Sequence, residues 1–290
     1  ANRDCLLSRG LGDVYKRQLM NAVPANQSRI AAEFERLGQL GKKALVTFIT
    51  AGDPGVDFTV PALHSLVAGG ANLLELGIPF SDPEAEGPAI QAANERALAN
   101  GMTLTKVLDM VVEFRASNST TPVVLMGYLN SILAMTNFAQ RAKEAGVDGL
   151  IMVNLPQEEA ADLRQTLSAE GMDLVSLIAP TTADRRAREI ATTGSGFLYY
   201  VSLKGTTGSG ALAVDEVAER MSFLQTLTNV PICVGFGIKD AKSAAAVSAH
   251  ADGVVVGSAL VQLMADSPDP ATASQRLQTA IADIRNGLDG

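Results

Sequence analysis

The sequence predicts an α/β protein built as a single (β/α)₈ barrel with one extra helix at its N-terminal end. Three observations lead there. Eight short strands alternate with helices along the chain. The strands read as continuous apolar runs rather than strict in–out alternation, the mark of parallel strands covered on both faces. The chain has 290 residues and 47% hydrophobic content, room for eight βα units of about 250 residues and a full core. An open doubly wound sheet is the rival arrangement. No linker, composition shift or internal repeat beyond the βα alternation divides the chain, so residues 20–290 read as one domain.

Residues 1–19 show no clear period, and their short apolar run with scattered basic residues is no signal peptide. They read as an extension outside the fold, with Met20 a plausible start. Ile30, Ala31, Phe34 and Leu37 recur at helical spacing, giving an opening helix over Ser28–Leu40. Strand 1 is Ala44–Thr50 and strand 2 is Asn72–Leu76, with a helix over Val60–Ala68 between them. Helices Pro88–Asn100 and Leu104–Ala116 follow; the proline sits well in a first helical turn. Strand 3 is Pro122–Met126, strand 4 Gly149–Val153, strand 5 Leu174–Ala179, strand 6 Phe197–Ser202, strand 7 Pro231–Gly235 and strand 8 Gly253–Val256. Their helices are expected over Ile132–Ala145, Glu158–Glu170, Ala183–Ala191, Ala213–Leu227 and Ala241–Ser248. A closing helix reaches about Asn286, broken near Pro268–Pro270.

Charge and composition exclude several functions. A net charge of −8 argues against a nucleic-acid backbone or an anionic membrane surface as partner. No apolar run approaches the roughly 18–20 residues of a membrane span. Cys5 and Cys233 are far apart and lack metal-ligand spacing, which fits a reducing cytoplasm and offers no metal site. His64 and His250 fall in expected helices away from strand ends, without a catalytic constellation around them.

In such a barrel the chemistry sits at the C-terminal ends of the strands. Strand 2 carries a carboxylate, Glu75, inside an apolar run, where an unpaired charge would cost several kcal/mol. It is either paired structurally or reaches a polar cavity. The following loop, Ser81–Gly87, carries Asp82, Glu84 and Glu86, an arrangement suited to general acid/base work on a small molecule and equally to a solvated acidic loop. Phe48, Tyr128 and Tyr199 stand at strand ends. Glycines follow strands 6, 7 and 8: Lys204–Gly210, Gly235–Phe236–Gly237 and Gly257–Ser258. Each could merely permit a turn. Together, with a helix starting after Gly257–Ser258, they favour a phosphate held by backbone amides and a helix N-terminus.

These motifs resemble the tryptophan synthase α subunit family from about Met20 to Ile284. The most specific run is Leu74–Gln91, LELGIPFSDPEAEGPAIQ; FITAGDP, GYLN, YYVSLKGTTG, GFGI and VVGSA follow the family order. The resemblance implies a TIM barrel that cleaves indole-3-glycerol phosphate to indole and glyceraldehyde 3-phosphate by a retro-aldol step, with no metal and no cofactor in this chain. It implies that Glu75 is the proton shuttle and Glu86 the second acid. Phe48, Tyr128, Tyr199 and Thr207 would contact the substrate, and Gly208, Gly237, Gly257 and Ser258 would hold its phosphate. A pyridoxal-phosphate-bearing β subunit in an α₂β₂ assembly is the implied partner. Four residues depart from the family pattern. Glu86 replaces Asp, Glu84 an apolar residue, Asn154 an Asp, and Ser131 a common Pro. Glu86 and Asn154 raise a second reading, an impaired homologue that binds a phosphate ligand and regulates its partner. A different phosphosugar isomerase or aldolase would want a lysine or histidine at a strand end, and none stands inside a strand.

Overall fold

Apolar, β-branched runs make the sheet. All seven residues of β1 (Ala44–Thr50) are buried, as are all five of β2 (Leu73–Gly77). A computed structural model describes residues 28–201, 210–235 and 237–290. In it, β3 (Val123–Gly127), β4 (Gly149–Met152), β5 (Asp173–Ile178), β6 (Leu198–Val201), β7 (Ile232–Gly235) and β8 (Gly253–Val256) complete the set. Each strand pairs in parallel with the next, and β8 returns to β1 through Val46↔Val255, so the barrel is closed and the open-sheet alternative is excluded.

Twelve helices are described: α1 (Arg29–Gln39), α2 (Thr59–Ala68), α3 (Pro88–Ala99), α4 (Leu104–Arg115), α5 (Leu129–Leu133), α6 (Phe138–Ala145), α7 (Ala161–Ala169), α8 (Asp184–Thr193), α9 (Gly210–Gln225), α10 (Ala241–Ser248), α11 (Ser258–Ala265) and α12 (Pro270–Asp289). Side-chain alternation sorts two cores. Outward residues such as Leu74, Leu76, Leu125 and Leu150 pack under the helices. Inward residues such as Val46, Leu73, Val124, Val175 and Tyr199 fill the barrel.

The extra helix α1 plugs the barrel's N-terminal end. Ile30 and Leu37 join the inner core, and Phe34 lies 5.9 Å from Phe197, ring centre to ring centre. Ser28 caps the helix by accepting from the Ala31 amide, and its hydroxyl donates to Asp173 at 2.8 Å.

Three expected helices begin or run differently. The run Ile132–Ala145 is two helices, because Asn137 takes a left-handed backbone (φ 55°), which breaks the ladder. The helix expected from Glu158 starts at Ala161, after a 3-10 turn over Gln157–Glu159. Helix α9 starts at Gly210 rather than Ala213. The break near Pro268–Pro270 is present: Asp269 accepts from the Thr272 amide at 2.8 Å and Pro270 opens α12, which runs on to Asp289. The extension at residues 1–19 lies outside the described residues.

Candidate active site

Leu73 faces the barrel interior while Leu74 and Leu76 face the helices, so Glu75 between them points inward. Its register partners are Phe48 on β1 and Val124 on β3. Glu75 is fully buried, and neither carboxyl oxygen has a hydrogen-bond partner among the described residues. Loss of water around the group, then the charge of Glu86, pushes its pKa up to about 8. Glu75 is therefore a neutral acid at pH 7, with its proton available.

Tyr199 on β6 and Cys233 on β7 share this interior. Burial first, and then Glu75, holds both well above their ordinary values. Gly235, at the end of β7, makes room for the tyrosine: a Cβ there would stand 2.8 Å from the Tyr199 hydroxyl.

The acidic loop separates its three acids. Asp82 and Glu84 are exposed, and Asp82 accepts from its neighbour Ser81. Glu86 is half-buried; burial raises its pKa to about 7, and of the three it alone acts on Glu75. Three side chains hold this segment by its backbone. Asn94 accepts from the Phe80 amide at 3.0 Å. The Tyr128 hydroxyl accepts from the Ala85 amide at 3.1 Å. Gln91 donates to the Glu86 carbonyl at 2.9 Å. Phe80 and Tyr128 stack with ring centres 4.7 Å apart. Sequence reading missed Phe80, Gln91 and Asn94. An asparagine in the middle of the helical run Pro88–Ala99 is the one signal the sequence carries for Asn94. Arg96 on the same helix grips the buried carboxylate of Asp53 through Nε at 2.6 Å and Nη2 at 3.1 Å, tying α3 to the loop after β1.

At the ends of β7 and β8, Gly237 holds a left-handed backbone (φ 61°) open to solvent, a conformation that suits glycine. Gly257 precedes α11, and its carbonyl takes the amides of Leu260 and Val261. The amides of Ser258 and Ala259 belong to the first turn, where the helix has no acceptor of its own to offer. Val261, Ala93 and Phe48 pack as one cluster, which sets the start of α11 beside β1 and α3. Thr207 and Gly208 lie outside the described residues, as does Phe236.

A cavity of about 470 Å³ covers the ends of β3 to β6, lined there by Met126, Val153, Leu177, Val201 and, from the acidic loop, Ala85. Met126 lies one inward layer above Val124, the partner of Glu75. The cavity's part at these strand ends is thus an apolar bowl, suited to a flat apolar ring. Among the described residues no three side chains of His, Cys, Asp or Glu gather as a metal site. His64 packs on the Phe114 ring, outside this region.

Two departures are absorbed in place. Asn154 keeps the acceptor that an aspartate would supply: its Oδ1 takes the Leu129 amide at 2.7 Å. Ser131 donates its amide to the Tyr128 carbonyl at 3.0 Å, a bond a proline could not make.

The known proteins that this chain resembles agree with one another. A family model described as tryptophan synthase alpha chain matches residues 34–288. The tryptophan synthase alpha chain of Chromobacterium violaceum is 54% identical over 263 residues, covering 90% of this chain and 99% of that protein. That of Dechloromonas aromatica is 52% identical over 264 residues, covering 90% and 98%. The crystal structure of tryptophan synthase subunit alpha from Legionella pneumophila matches with a TM-score of 0.84 at 42% identity, over 91% of this chain and 99% of that one. A closed eight-stranded barrel, a buried acid on its second strand and relatives this similar along nearly their whole length place the chain in the tryptophan synthase alpha chain family.

Proposed function

We propose that Glu75 is the proton shuttle, and Glu86 its electrostatic partner, in the reaction of this family of lyases: cleavage of indole-3-glycerol phosphate to indole and glyceraldehyde 3-phosphate. The observation that carries the reading is the pair of carboxyls itself. One is buried, without a hydrogen-bond partner among the described residues, and protonated at neutral pH; the other sits on the adjoining loop and ionises at lower pH. Glu75 gives its proton to indole C3, which places positive charge on the ring nitrogen. The Glu86 carboxylate balances that charge. Glu75, now ionised, takes the proton of the side-chain hydroxyl as the carbon–carbon bond breaks. The bond's electrons return to the ring, the hydroxyl's electrons form the aldehyde, and Glu75 ends as it began. Phe48, Tyr199 and the apolar bowl seat the ring. Gly237, Gly257 and Ser258, with Thr207 and Gly208, hold the glycerol phosphate end by backbone amides and the start of α11.

The alpha chain carries no cofactor of its own, and its family works with a beta subunit. A tryptophan synthase complex from Pyrococcus furiosus includes a chain that matches this one at 35% identity with a TM-score of 0.76. The assembly we propose is α₂β₂, with pyridoxal phosphate on the beta subunit, working in the cytoplasm. Among the described residues no helix is long and apolar enough to cross a membrane.

The pH profile tests the acid pair. Activity needs Glu86 ionised and Glu75 protonated, so kcat/KM should rise through about pH 7 and fall through about pH 8, the two titrating as a unit. In Glu86→Gln the lower limb should vanish. The upper limb should move to lower pH, because the charge that lifts Glu75 is gone. A profile flat through both values overturns the assignment.

A further inference from the structure

The 470 Å³ cavity is larger than the apolar bowl at the ends of β3 to β6, and part of its lining lies on the other face of the sheet. It touches six consecutive residues of β5 and its end, Leu174 to Ala179. Val175 and Leu177 belong to the barrel interior, whereas Leu174 and Ile178 pack outward under the helices. A void that meets both faces of one strand either passes an open edge or rounds the strand's end, and this lining reaches past the end of β5 to Ala179 and Thr182 as well. That edge exists. The β4–β5 ladder covers only Gly149↔Asp173, Leu150↔Leu174 and Ile151↔Val175. Beyond Val175, β5 continues along β6 alone, through Ser176↔Leu198, Leu177↔Tyr199 and Ile178↔Tyr200. The barrel wall therefore has a slot between β4 and β5 at the level of the bowl.

Behind the slot, the annex is walled by Met152, Ala160 and Ile190, all buried, and by the outward side chain of Ser176. The other polar side chains on the lining are engaged. Asn154 accepts from Leu129, Thr182 accepts from the Ala179 amide, Gln157 donates to Thr193, and Arg186 pairs with Glu158 at 3.1 Å. Ser176 differs: the residue is 7% exposed and its Oγ has no partner among the described residues. A buried hydroxyl without a partner carries a desolvation cost that a ligand can relieve. An ordered water wants about three polar partners, and this pocket has one to spare.

We propose that this annex behind β5 is a second binding site, taking a compact apolar heteroaromatic molecule whose ring N–H donates to Ser176 Oγ. The slot joins it to the bowl, so a ring released by cleavage can reach it without leaving the protein. The pocket itself is read from the cavity, the short ladder and Ser176, and does not depend on the roles given to Glu75 and Glu86.

The chain contains no tryptophan, so the fluorescence of added indole is read without an indole background from the protein. Titration with indole should show a blue-shifted population. Ser176→Ala should weaken its binding about fivefold, the effect of one neutral hydrogen bond. Ser176→Leu, which fills the annex, should remove it, while Glu75→Gln should leave it in place. A crystal soaked in 5-bromoindole locates the site independently of any variant's folding. Anomalous bromine density between β5 and α8 supports the proposal. Density confined to the bowl, or indole binding unchanged in Ser176→Leu, overturns it. A loss of cleavage in Glu75→Gln with annex density intact would separate the two sites.

Discussion

Two buried carboxylates at opposite ends of the barrel are treated in opposite ways. Asp148, just before β4 at the plugged end, is saturated. Arg29 reaches it at 2.8 Å, Arg115 at 2.7 Å, and the Val123 amide donates at 2.8 Å. Arg115 is itself spent on the carbonyls of Gly146 and Thr121. Glu75 on the next-but-one strand is buried more deeply and has no hydrogen-bond partner among the described residues. The plugged end uses a carboxylate, paired with two arginines, as mortar between helix and strand. The open end keeps one neutral and unspent, and in the proposed reaction the proton it holds is the reagent that its desolvation preserves. Two acids of nearly equal chemistry become a structural part and a reactive one through their partners alone.

The largest test of this contrast is Glu75→Gln. The side chain at that position is already neutral at pH 7, so the amide should fold normally. Turnover should fall by about 10³-fold, the usual loss when a general acid–base group is removed. Binding of inorganic phosphate should persist, since the proposed phosphate site is Gly237, Gly257 and Ser258. Full activity would place Glu75 with Asp148 among the structural acids.

The mirror experiment is Asp148→Ala, read by denaturant unfolding. It should cost about 3–5 kcal/mol, because it strands the guanidinium of Arg115, only 11% exposed. Burial already pushes that group down to about 10. A change below 1 kcal/mol would show that the plugged end is held by apolar packing alone.

A smaller and more diagnostic effect is the pH dependence of stability. Glu75 has an ordinary value of 4.5 and a folded value of about 8. Between the two, the folded chain keeps a proton that the unfolded chain has released. Stability should therefore be fully present below pH 4.5 on this account and decline as pH rises toward 8. Thermal melting of wild type against Glu75→Gln isolates the contribution: the slope should flatten in the variant. Identical slopes would mean that the carboxyl ionises in the fold at its ordinary pH.

The smallest expected change is in Tyr128→Phe. It keeps the stack on Phe80 and deletes the acceptor for the Ala85 amide. kcat should fall about fivefold with KM little altered, as expected of a residue that positions Glu86 rather than one that binds substrate. A rise in KM alone would make Tyr128 a substrate contact.

The contrast between the two acids also marks where sequence reading succeeds. The strands were legible because each is an uninterrupted apolar run, and a carboxylate inside such a run announces itself. Gly257–Ser258 was legible from its place between strand 8 and a helix. The supports of Glu86 were not. Tyr128 lies 43 residues from Ala85, and nothing local in either segment predicts that they meet. The break at Asn137 was hidden for a different reason: its flanks keep helical spacing, and only the left-handed backbone of one residue ends the run. The slot between β4 and β5 depends on where a ladder stops, a property of two strands that neither carries alone.

The bond from Asn154 to Leu129 has a mechanical consequence. Leu129 adjoins Tyr128, and Tyr128 is bonded to Ala85, which adjoins Glu86. The end of β4, the turn into α5 and the acidic loop thus form a linkage with two hydrogen-bonded joints. Where Glu86 stands is tied to strands other than the one it follows. A displacement of α5 would pass through those two joints to the segment that carries Glu86.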